Sequence, residues 1–306
     1  MSDIKLFQIQ NDEVQELEGK SVAVEKSLQT LIEKHLEAFL GIRFLATEYS
    51  TGKVHGGRID TLGLDENGCP VIIEYKRALN ENVINQGLFY LDWLMDHKGE
   101  FTLMVMKKYG PQVAETIEWK NPRLICIAGD FTKYDEYAVQ QINRNIELMR
   151  YRRYGDNLLL LELVNAVTGS EVNDTPTAQP EKKLKSTGVK TVSELLKQSS
   201  TDLQDLYESL RAFLEALGDD VQVKTLKYYI AFKRIKNFAC VEAYPQAGKL
   251  LVFVKVNPDT ITTELGFTRD VRSIGHFGTG DLEITIKSDL DFEKAKPLLV
   301  KSYEAS

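Results

Sequence analysis

The amino-acid sequence predicts an α/β fold, with a mixed sheet flanked by helices, followed by a second, smaller α+β domain. Up to about residue 166, apolar residues at helical spacing alternate with short apolar runs typical of strands, in the order α-β-β-β-α-β-α-β-α-β-β. Residues 168–190 are rich in small polar residues and contain almost nothing to bury, which indicates a linker. The 306 residues, of which 43% are hydrophobic, suffice for two domains, expected at residues 1–167 and 191–306.

The first expected element is a helix from about Val22 to Leu40. Leu28, Ile32 and Leu36 recur within it at helical spacing, and Gly41 stands where a glycine commonly ends a helix. The helix therefore has an apolar face, which we expect to pack against the sheet.

Three strand-like runs follow, near residues 43–49, 58–64 and 70–77. The last two runs are separated by Asp65-Glu66-Asn67-Gly68, a sequence typical of a hairpin turn. A helix is expected next, from about Asn80 to Met95, with Asn80 as its N-cap.

The turn between these two strands predicts how they pair. If Glu66-Asn67-Gly68 is a three-residue turn with its glycine in the left-handed conformation, Asp65 pairs with Cys69, and Asp60 lies opposite Glu74. Other hairpin registers shift Asp60 by one residue, so they remain open as alternatives.

The rest of the first domain contains four apolar runs that we interpret as strands, with helix-like stretches between them. These runs are Phe101–Met106, Leu124–Ala128, Ile146–Tyr151 and Leu158–Val164. The second domain has the expected order α-β-β-β-β-α. Its elements are a helix at residues 191–217 that breaks near Ser200, strands at 227–232, 239–244, 249–256 and 282–286, and a helix at 292–303.

Cysteine and histidine usage excludes several kinds of site. Cys69, Cys126 and Cys240 lie far apart and are odd in number, so they predict neither a disulfide framework nor a CxxC-type zinc site. The four histidines are equally scattered, and no HExxH helix can be drawn.

Charge and hydropathy narrow the choice of partner. A net charge of −7 argues against tight, sequence-independent binding of nucleic acid, which depends on neutralising phosphates. A nucleic-acid enzyme stays open, because a local basic stripe or a bound metal ion can supply the contact. The chain has no run of 18 apolar residues and no signal-peptide pattern at its start, so we expect a cytoplasmic protein without a membrane partner.

A carboxylate and an ammonium leave the strand at residues 70–77 side by side. Alternation places Glu74 and Lys76 on one face of it, and the expected register brings Asp60 opposite Glu74. Like charges in that arrangement repel, and Mg²⁺ readily accepts one or two carboxylates while keeping several waters. The alternative is that Glu74 and Lys76 form a solvated pair on an edge strand.

Polar side chains on two helices accompany this group. Glu25, Gln29 and Glu33 form a line at i, i+4 and i+8 beside the apolar face of the first helix. Gln86 and Tyr90 lie at i and i+4 on the next helix. Taken alone, Gln86 is more typical of a surface amide, and Tyr90 of a core tyrosine.

Several of these segments together resemble the PD-(D/E)XK nuclease superfamily. They are Gly57-Arg58-Ile59-Asp60, then Ile73-Glu74-Tyr75-Lys76-Arg77, then Gln86 and Tyr90 on the following helix. With Glu48-Tyr49-Ser50-Thr51 ahead of them, the region is most similar to the catalytic domain of NucS-type endonucleases. The resemblance implies a restriction-endonuclease-like core and metal-dependent hydrolysis of DNA.

The resemblance also implies roles for individual residues. Asp60, Glu74 and the backbone carbonyl of Tyr75 would hold Mg²⁺ or Mn²⁺, and Lys76 would orient or activate the attacking water. Either Glu25 or Glu33 would complete the site, and helical periodicity does not separate the two. The residues that would contact substrate or steady the site are Arg58, Arg77, Gln86 and Tyr90.

A second basic stretch, Met149 to Tyr154, interleaves Arg150, Arg152 and Arg153 with aromatic residues. This pattern suits phosphate contact with base stacking, although a solvated strand end is an equally good interpretation. The expected partner is DNA, with RNA and a homodimer left open. The alternative function is a non-cleaving nucleic-acid-binding or regulatory protein that retains the nuclease fold.

The second domain resembles a domain often found behind such nuclease-like domains, which sometimes carries the label "predicted transport protein". The sequence contains no membrane span to support that label. Residues 224–236 form a basic and aromatic stretch that could bind nucleic acid or a nucleotide, but a half-buried strand is the favoured interpretation. Residues 275–280 are glycine-rich and are expected to form a tight loop, with a ligand lip as the alternative.

Overall fold

The computed structural model of the protein divides into two compact units, Met1–Ser170 and Glu171–Ser306. The residues it describes are 4–20, 25–52, 56–76, 83–167 and 190–306. The division falls within the predicted linker. Residues 168–189 lie outside the described part of the chain, so the linker itself stays a prediction.

The first unit contains nine described strands. They are β1 Leu6–Gln10, β2 Glu13–Leu17, β3 Gly19–Lys20, β4 Ile42–Ser50, β5 Arg58–Asp65, β6 Pro70–Lys76, β7 Arg123–Ala128, β8 Asn145–Tyr154 and β9 Leu158–Val167. Strands β1 and β2 form a separate antiparallel hairpin that was not predicted from the sequence. Its turn residues, Asn11 and Asp12, have φ angles of 49° and 65°. Asparagine and aspartate tolerate this left-handed conformation in tight hairpin turns.

The other strands form a seven-stranded mixed sheet with the order β3-β8-β7-β6-β5-β4, and β9 pairs with β8. Strands β6, β7 and β8 run parallel to one another, whereas β4, β5 and β6 form an antiparallel meander. Strand β9 is antiparallel to β8. The predicted mixed sheet is therefore confirmed.

Helices cover both faces of this sheet, as the predicted fold class requires. They are α1 Glu25–Lys34, α2 Leu36–Leu40, α3 Val83–Asp96, α4 Lys98–Tyr109, α5 Pro111–Glu115 and α6 Lys133–Gln140. Helices α3 and α4 pack their apolar residues on the face formed by Leu62, Ile72 and Leu124. Helix α1 lies against β5 and β6 from the opposite side, where Ile73 and Tyr75 are buried. The helix predicted over residues 22–40 is broken at His35 into α1 and α2.

The hairpin of β5 and β6 has the predicted turn. Gly68 has a φ of +75°, and the Asp65 amide donates to the Cys69 carbonyl at 2.9 Å. Strand pairing then runs from Leu64 with Pro70 to Thr61 with Ile73. This register is the one that brings Asp60 level with Glu74.

One predicted strand is wrong. Residues Phe101–Met106 belong to helix α4, not to a strand. Phe101 and Val105, four residues apart, are fully buried, whereas Leu103 and Met106 are 49% and 43% exposed. The pattern is that of one buried helical face, which a short apolar run does not distinguish from a strand.

A buried ion-pair triad holds the end of the sheet that carries the turn. The Arg123 guanidinium on β7 contacts Asp65 Oδ2 at 2.8 Å and Glu147 Oε2 at 2.7 Å. Asp65 Oδ1 also accepts the amides of Asn67 and Cys69. Because all three charged groups are buried, removal of one would leave uncompensated charge in the interior.

The second unit is an α+β domain built on a six-stranded antiparallel sheet. Its strands are β10 Gln222–Thr225, β11 Ile230–Lys233, β12 Asn237–Tyr244, β13 Lys249–Val254, β14 Thr268–Asp270 and β15 Leu282–Ile286. Its α-helices are α7 Val192–Lys197, α8 Thr201–Glu215 and α9 Asp289–Glu304. The predicted break near Ser200 is confirmed, because Ser200 caps α8. The short strands β10 and β14, which lie at the two edges of the sheet, were not predicted.

The helices of the second unit cover one face of its sheet. Leu210 of α8 and Leu299 of α9 pack there against Val241 and Val252. The opposite face carries a smaller apolar cluster that includes Cys240 and Phe253. The longest helix, α9, has 16 residues, and no helix in the described ranges has the length and apolar content needed to cross a bilayer.

Candidate functional site

Strands β5 and β6 separate at Asp60 and Glu74, whose side chains bridge the gap. The regular pairing of the two strands ends at Thr61 and Ile73. One residue further, the Asp60 amide donates to Glu74 Oε1 at 3.1 Å, and the Tyr75 amide donates to Asp60 Oδ2 at 3.0 Å. Each carboxylate thus binds a backbone amide of the opposite strand, and the two acids are held next to each other.

The Glu74 carboxylate is buried, and its two oxygens differ. The residue is 0% exposed, and Oε2 has no hydrogen-bond partner among the described residues. Burial, and after it the neighbouring Asp60 carboxylate, raises the pKa of Glu74 to about 9, although Lys76 acts in the opposite direction. A buried oxygen without a partner carries a desolvation cost that a bound cation would offset.

A third carboxylate, Glu48, lies on β4 next to this pair. Its neighbours Thr47 and Tyr49 pair with the residues on either side of Asp60, so Glu48 stands level with Asp60. Glu48 itself has a φ of 50°, a left-handed conformation that is uncommon and strained for a residue other than glycine. Backbone strain of this kind is commonly concentrated at functional sites.

Two cations neutralise Glu48. Lys26 Nζ lies 2.6 Å from Glu48 Oε1, and Arg58 Nη1 lies 3.4 Å from Oε2. The bond from Lys26 is the main cause that lowers the pKa of Glu48. Glu48 also contributes to the raised pKa of Glu74. No role was predicted for Glu48 from the sequence. The signal that could have indicated one is its position in Glu48-Tyr49-Ser50-Thr51, a segment that contributes to the resemblance to nucleases.

The basic residues expected beside the carboxylates lie in different surroundings. Lys76 ends β6 on the same face as Glu74 and is half-buried. Arg58 begins β5, and its side chain is 66% exposed, so its guanidinium is open to a polyanion in solution. Arg77 lies outside the described residues, and its role stays a prediction.

Helix α1 holds β5 through Gln29 and Glu33. Gln29 Nε2 donates to the Asp60 carbonyl at 2.8 Å and to Glu33 Oε1 at 3.0 Å. Glu33 Oε1 also accepts from Thr61 Oγ1 at 2.6 Å. Thr61 faces the side of the sheet opposite to the Asp60 side chain, so Glu33 supports the strand from behind. Glu33 therefore lies away from the Asp60 carboxylate, which does not favour its predicted place in the site. The side chain of Glu25 lies outside the described part of the chain, so its role stays a prediction.

Gln86 and Tyr90 hold the start of β5. Gln86 Nε2 donates to Tyr90 Oη at 3.2 Å, and the same hydroxyl accepts the Arg58 amide at 3.1 Å. A Cβ atom at Gly57 would lie 2.5 Å from Tyr90 Cε1, so the ring packs directly on the backbone there. Asp60 lies two residues after Arg58 on β5. The contacts of Gln86 and Tyr90 therefore hold the part of the strand that carries Asp60.

The three arginines of β8 do not form one surface. Arg150 is only 3% exposed, and its guanidinium binds Glu162 at 2.6 Å and Asp130 at 3.1 Å. The predicted contact of Arg150 with phosphate does not agree with this burial, because its guanidinium is already paired with two carboxylates. Arg152 and Arg153 are half-buried near the end of the strand and stay candidates for phosphate contact.

The donor set at Asp60 and Glu74 fits a divalent cation. Among the described residues, no three His, Cys, Asp or Glu side chains converge into a ready-made metal cluster. Mg²⁺ and similar ions need fewer protein ligands, because they commonly take one or two carboxylates and retain several waters. The buried Oε2 of Glu74 has no partner in the part of the chain that the structure describes, and it is an oxygen that such an ion would satisfy.

Comparison with protein families and curated proteins gives two similarities. Residues 192–306, which form the described part of the second unit almost entirely, match a family described as "Domain of unknown function (DUF5655)". The chain is also similar to an uncharacterized protein of Haemophilus influenzae, with 28% identity over 291 residues. The aligned region covers 93% of this chain and 94% of that protein.

Two solved structures show weaker likenesses. A repair endonuclease from Pyrococcus abyssi has 20% identity and a TM-score of 0.28, over 43% of this chain and 48% of that chain. A complex of EndoMS with double-stranded DNA has 20% identity and a TM-score of 0.26, over 43% of this chain and 47% of that chain. The match spans about half the length of each of these structures.

Proposed function

We propose that the protein is a metal-dependent nuclease that hydrolyses DNA phosphodiester bonds, with the second unit as an accessory recognition domain. The observation that carries the proposal is the pairing of Asp60 and Glu74 where β5 and β6 separate. The buried Oε2 of Glu74 has no partner in the described chain, and Lys76 follows on the same face. Two acids and a lysine in this arrangement suit hydrolysis of a phosphodiester.

The residues have separate tasks in this proposal. Asp60 and Glu74 would hold Mg²⁺ or Mn²⁺ together with the Tyr75 carbonyl. When bound, the ion would lower the pKa of its water and stabilise charge on the phosphate. The Lys76 ammonium would orient the attacking water or assist its deprotonation. Arg58, exposed at the start of β5, would contact the DNA backbone.

A non-cleaving nucleic-acid-binding or regulatory protein is the second candidate. It is favoured by the contacts that already engage the acids, since Lys26 and Arg58 neutralise Glu48 and Asp60 binds the Tyr75 amide. In such a protein, the ion pairs of Glu48 with Lys26 and Arg58 would supply positive charge at the site in place of a metal ion. Retention of Asp60, Glu74 and Lys76 together favours the nuclease.

Metal binding and cleavage can be measured separately. Calorimetry with Mn²⁺ should show a site in the wild-type protein that is lost in Asp60→Asn, whereas Asp92→Asn on the exposed side of α3 should bind normally. Equal binding by wild type and Asp60→Asn would remove Asp60 from the metal site.

Cleavage assays should use single-stranded, duplex and branched DNA, and RNA, with Mg²⁺ or Mn²⁺. We expect wild type and Asp92→Asn to cut DNA, and Asp60→Asn to be inactive. Lys76→Ala should lose cleavage but keep metal and DNA binding, because the lysine acts on water and is not a ligand. Binding without cleavage by the wild-type protein on every substrate would support the second candidate.

A further inference from the structure

The second unit contains a cavity of about 570 Å³ beside the end of β12. Its walls include Leu195, Tyr228, Glu242, Tyr244 and Phe277. The volume lies within the range of about 300–1,000 Å³ that is typical of small-molecule sites. Such sites commonly combine apolar and aromatic walls with a few fixed polar groups, and this cavity has that composition.

The fixed polar group is the Glu242 carboxylate. Glu242 is 6% exposed, and the Tyr244 hydroxyl donates to its Oε2 at 2.7 Å. The Phe277 amide donates to its Oε1 at 3.2 Å. These two bonds hold the carboxylate in one orientation, and each oxygen retains capacity to accept another hydrogen bond. A ligand that places two adjacent N–H donors against it would satisfy both oxygens.

An aromatic surface stands next to this carboxylate. The rings of Tyr228 and Phe277 are stacked, with centroids 4.4 Å apart and an interplanar angle of 27°. Phe277 is 49% exposed, so a large part of the ring is available for contact with a ligand. A planar ligand would gain stacking on such a surface.

The loop that carries Phe277 is anchored on both sides of the ring. His276 stacks on Phe253 with centroids 4.3 Å apart. Gly278 has a φ of +81°, and a Cβ atom there would lie 2.7 Å from Cys240 Sγ. This close approach needs glycine, and it fixes the position of Phe277 before any ligand binds.

One lysine lines the cavity, and two others contact its aromatic rings. Lys227 Nζ lies 4.8 Å from the centroid of the Tyr228 ring, and Lys249 Nζ lies 5.5 Å from the centroid of the Tyr244 ring. Lys190 also lines the cavity, where its ammonium donates to Gln198. Among the described lining residues, Lys190 is the one cation and Glu242 the one carboxylate, and Lys227 and Lys249 add positive charge next to the aromatic rings. A phosphate-bearing ring with N–H donors would match these charges.

We propose that this cavity binds a guanine base, with its N1–H and N2–H donors on Glu242, its ring on the stack of Tyr228 and Phe277, and its phosphate toward the lysines. Among the common bases, guanine presents two adjacent donors on its Watson–Crick edge, which match an acceptor-only carboxylate. Adenine, cytosine and thymine each place at least one acceptor against it. The base could come from a free nucleotide or from an unpaired position in nucleic acid. The site lies entirely in the second unit and does not depend on cleavage by the first.

Calorimetry on the full chain with guanosine and adenosine 5′-monophosphates tests the proposal. Two charge-assisted hydrogen bonds predict that the guanine nucleotide binds about 10- to 100-fold more tightly than the adenine nucleotide. Glu242→Gln should abolish that preference, whereas Glu208→Gln, an exposed residue of α8, should retain it. Equal affinity of the wild-type protein for the two nucleotides, or no binding of either at millimolar concentration, would overturn the proposal.

Two further measurements complete the test. Phe277→Ala replaces a half-exposed ring and should fold normally, as checked by its thermal melt, while it weakens binding of the guanine nucleotide about 10-fold or more. Unchanged affinity in this variant would exclude the stacking surface. A short single-stranded oligonucleotide with one guanine, compared with the same oligonucleotide with adenine, separates the two sources. Preference for the guanine oligonucleotide over the free nucleotide assigns the site to unpaired nucleic acid, and the reverse assigns it to a free nucleotide.

Discussion

Replacement of Glu74 by Gln should stabilise the metal-free protein, and the gain should increase with pH. Burial and Asp60 raise the pKa of Glu74 from 4.5 to about 9. Above about pH 4.5 the unfolded chain loses this proton while the folded protein keeps it, so the stability of the folded protein falls as pH rises toward about 9. At about 1.36 kcal/mol per pKa unit, the penalty is about 3 kcal/mol at pH 7 and below about 1 kcal/mol at pH 5.

Urea unfolding in the presence of a chelator measures this difference. Trp93 and Trp119 are the two tryptophans of the chain, and both lie in the first unit, so their fluorescence reports that unit within the full-length protein. The gain of Glu74→Gln over wild type should be larger at pH 7 than at pH 5 by about 2 to 3 kcal/mol. Glu115→Gln, an exposed residue at the end of α5, serves as the matched control and should show no such dependence.

The same experiment can refute the reasoning. A difference between Glu74→Gln and wild type that is equal at the two pH values would mean that Glu74 titrates as an ordinary exposed carboxyl does. Added Mn²⁺ extends the test, because it should stabilise the wild-type protein at pH 7 and leave Glu74→Gln nearly unchanged.

Three other predictions follow from the packing and charge of the first unit. Arg123→Met should destabilise it by about 3–5 kcal/mol in urea, because two buried carboxylates lose their cation; a loss below about 1 kcal/mol would contradict this. Gly57→Ala should cost about 1–3 kcal/mol through the clash with the tyrosine ring of α3, whereas Gly99→Ala, with open space around it, should be neutral or stabilising. Equal thermal melts of these two variants would show that the ring moves freely. Replacement of Arg152 and Arg153 by Ala should flatten the dependence of log K on log salt for DNA binding by up to about 0.9 for each phosphate that is no longer neutralised, and an unchanged slope would identify them as a solvated strand end.

The hairpin that carries the candidate site is predictable from local sequence. Gly68 supplies the left-handed turn residue, and Asp65 binds the amides of Asn67 and Cys69 within the turn. The turn length then sets the register, and alternation along the strands places Asp60 and Glu74 together. Each of these steps involves residues close in the chain, so the pattern of residue types is sufficient.

The helix at residues 98–109 shows where local pattern fails. A six-residue apolar run has no period long enough to separate a strand from a buried helix. The outcome depends on contacts with distant residues, because Phe101 and Val105 join the core beneath the sheet. The residue types within Phe101–Met106 do not by themselves indicate that packing.

The partners of charged residues at the site could not be predicted from local sequence either. The burial of Arg150 depends on Asp130 and Glu162, which come from other segments of the chain. The position of Glu48 depends on a register set across β4 and β5, and on Lys26 from α1. A basic or acidic residue looks the same in the sequence whether its partner is solvent, a substrate or another part of the fold.

The order of most elements, the β5–β6 hairpin and the meeting of Asp60 with Glu74 could be predicted from residue types alone, because these features follow from turn chemistry and from the period of the strands. The folded structure was needed to show which of the charged residues are neutralised inside the fold, and that Glu74 keeps a buried oxygen without a partner in the described chain. It was also needed to show that Glu242 and Phe277, 35 residues apart, share one cavity wall. Burial and charge pairing depend on segments that are remote in the chain, and that is why they had to be read from the folded protein.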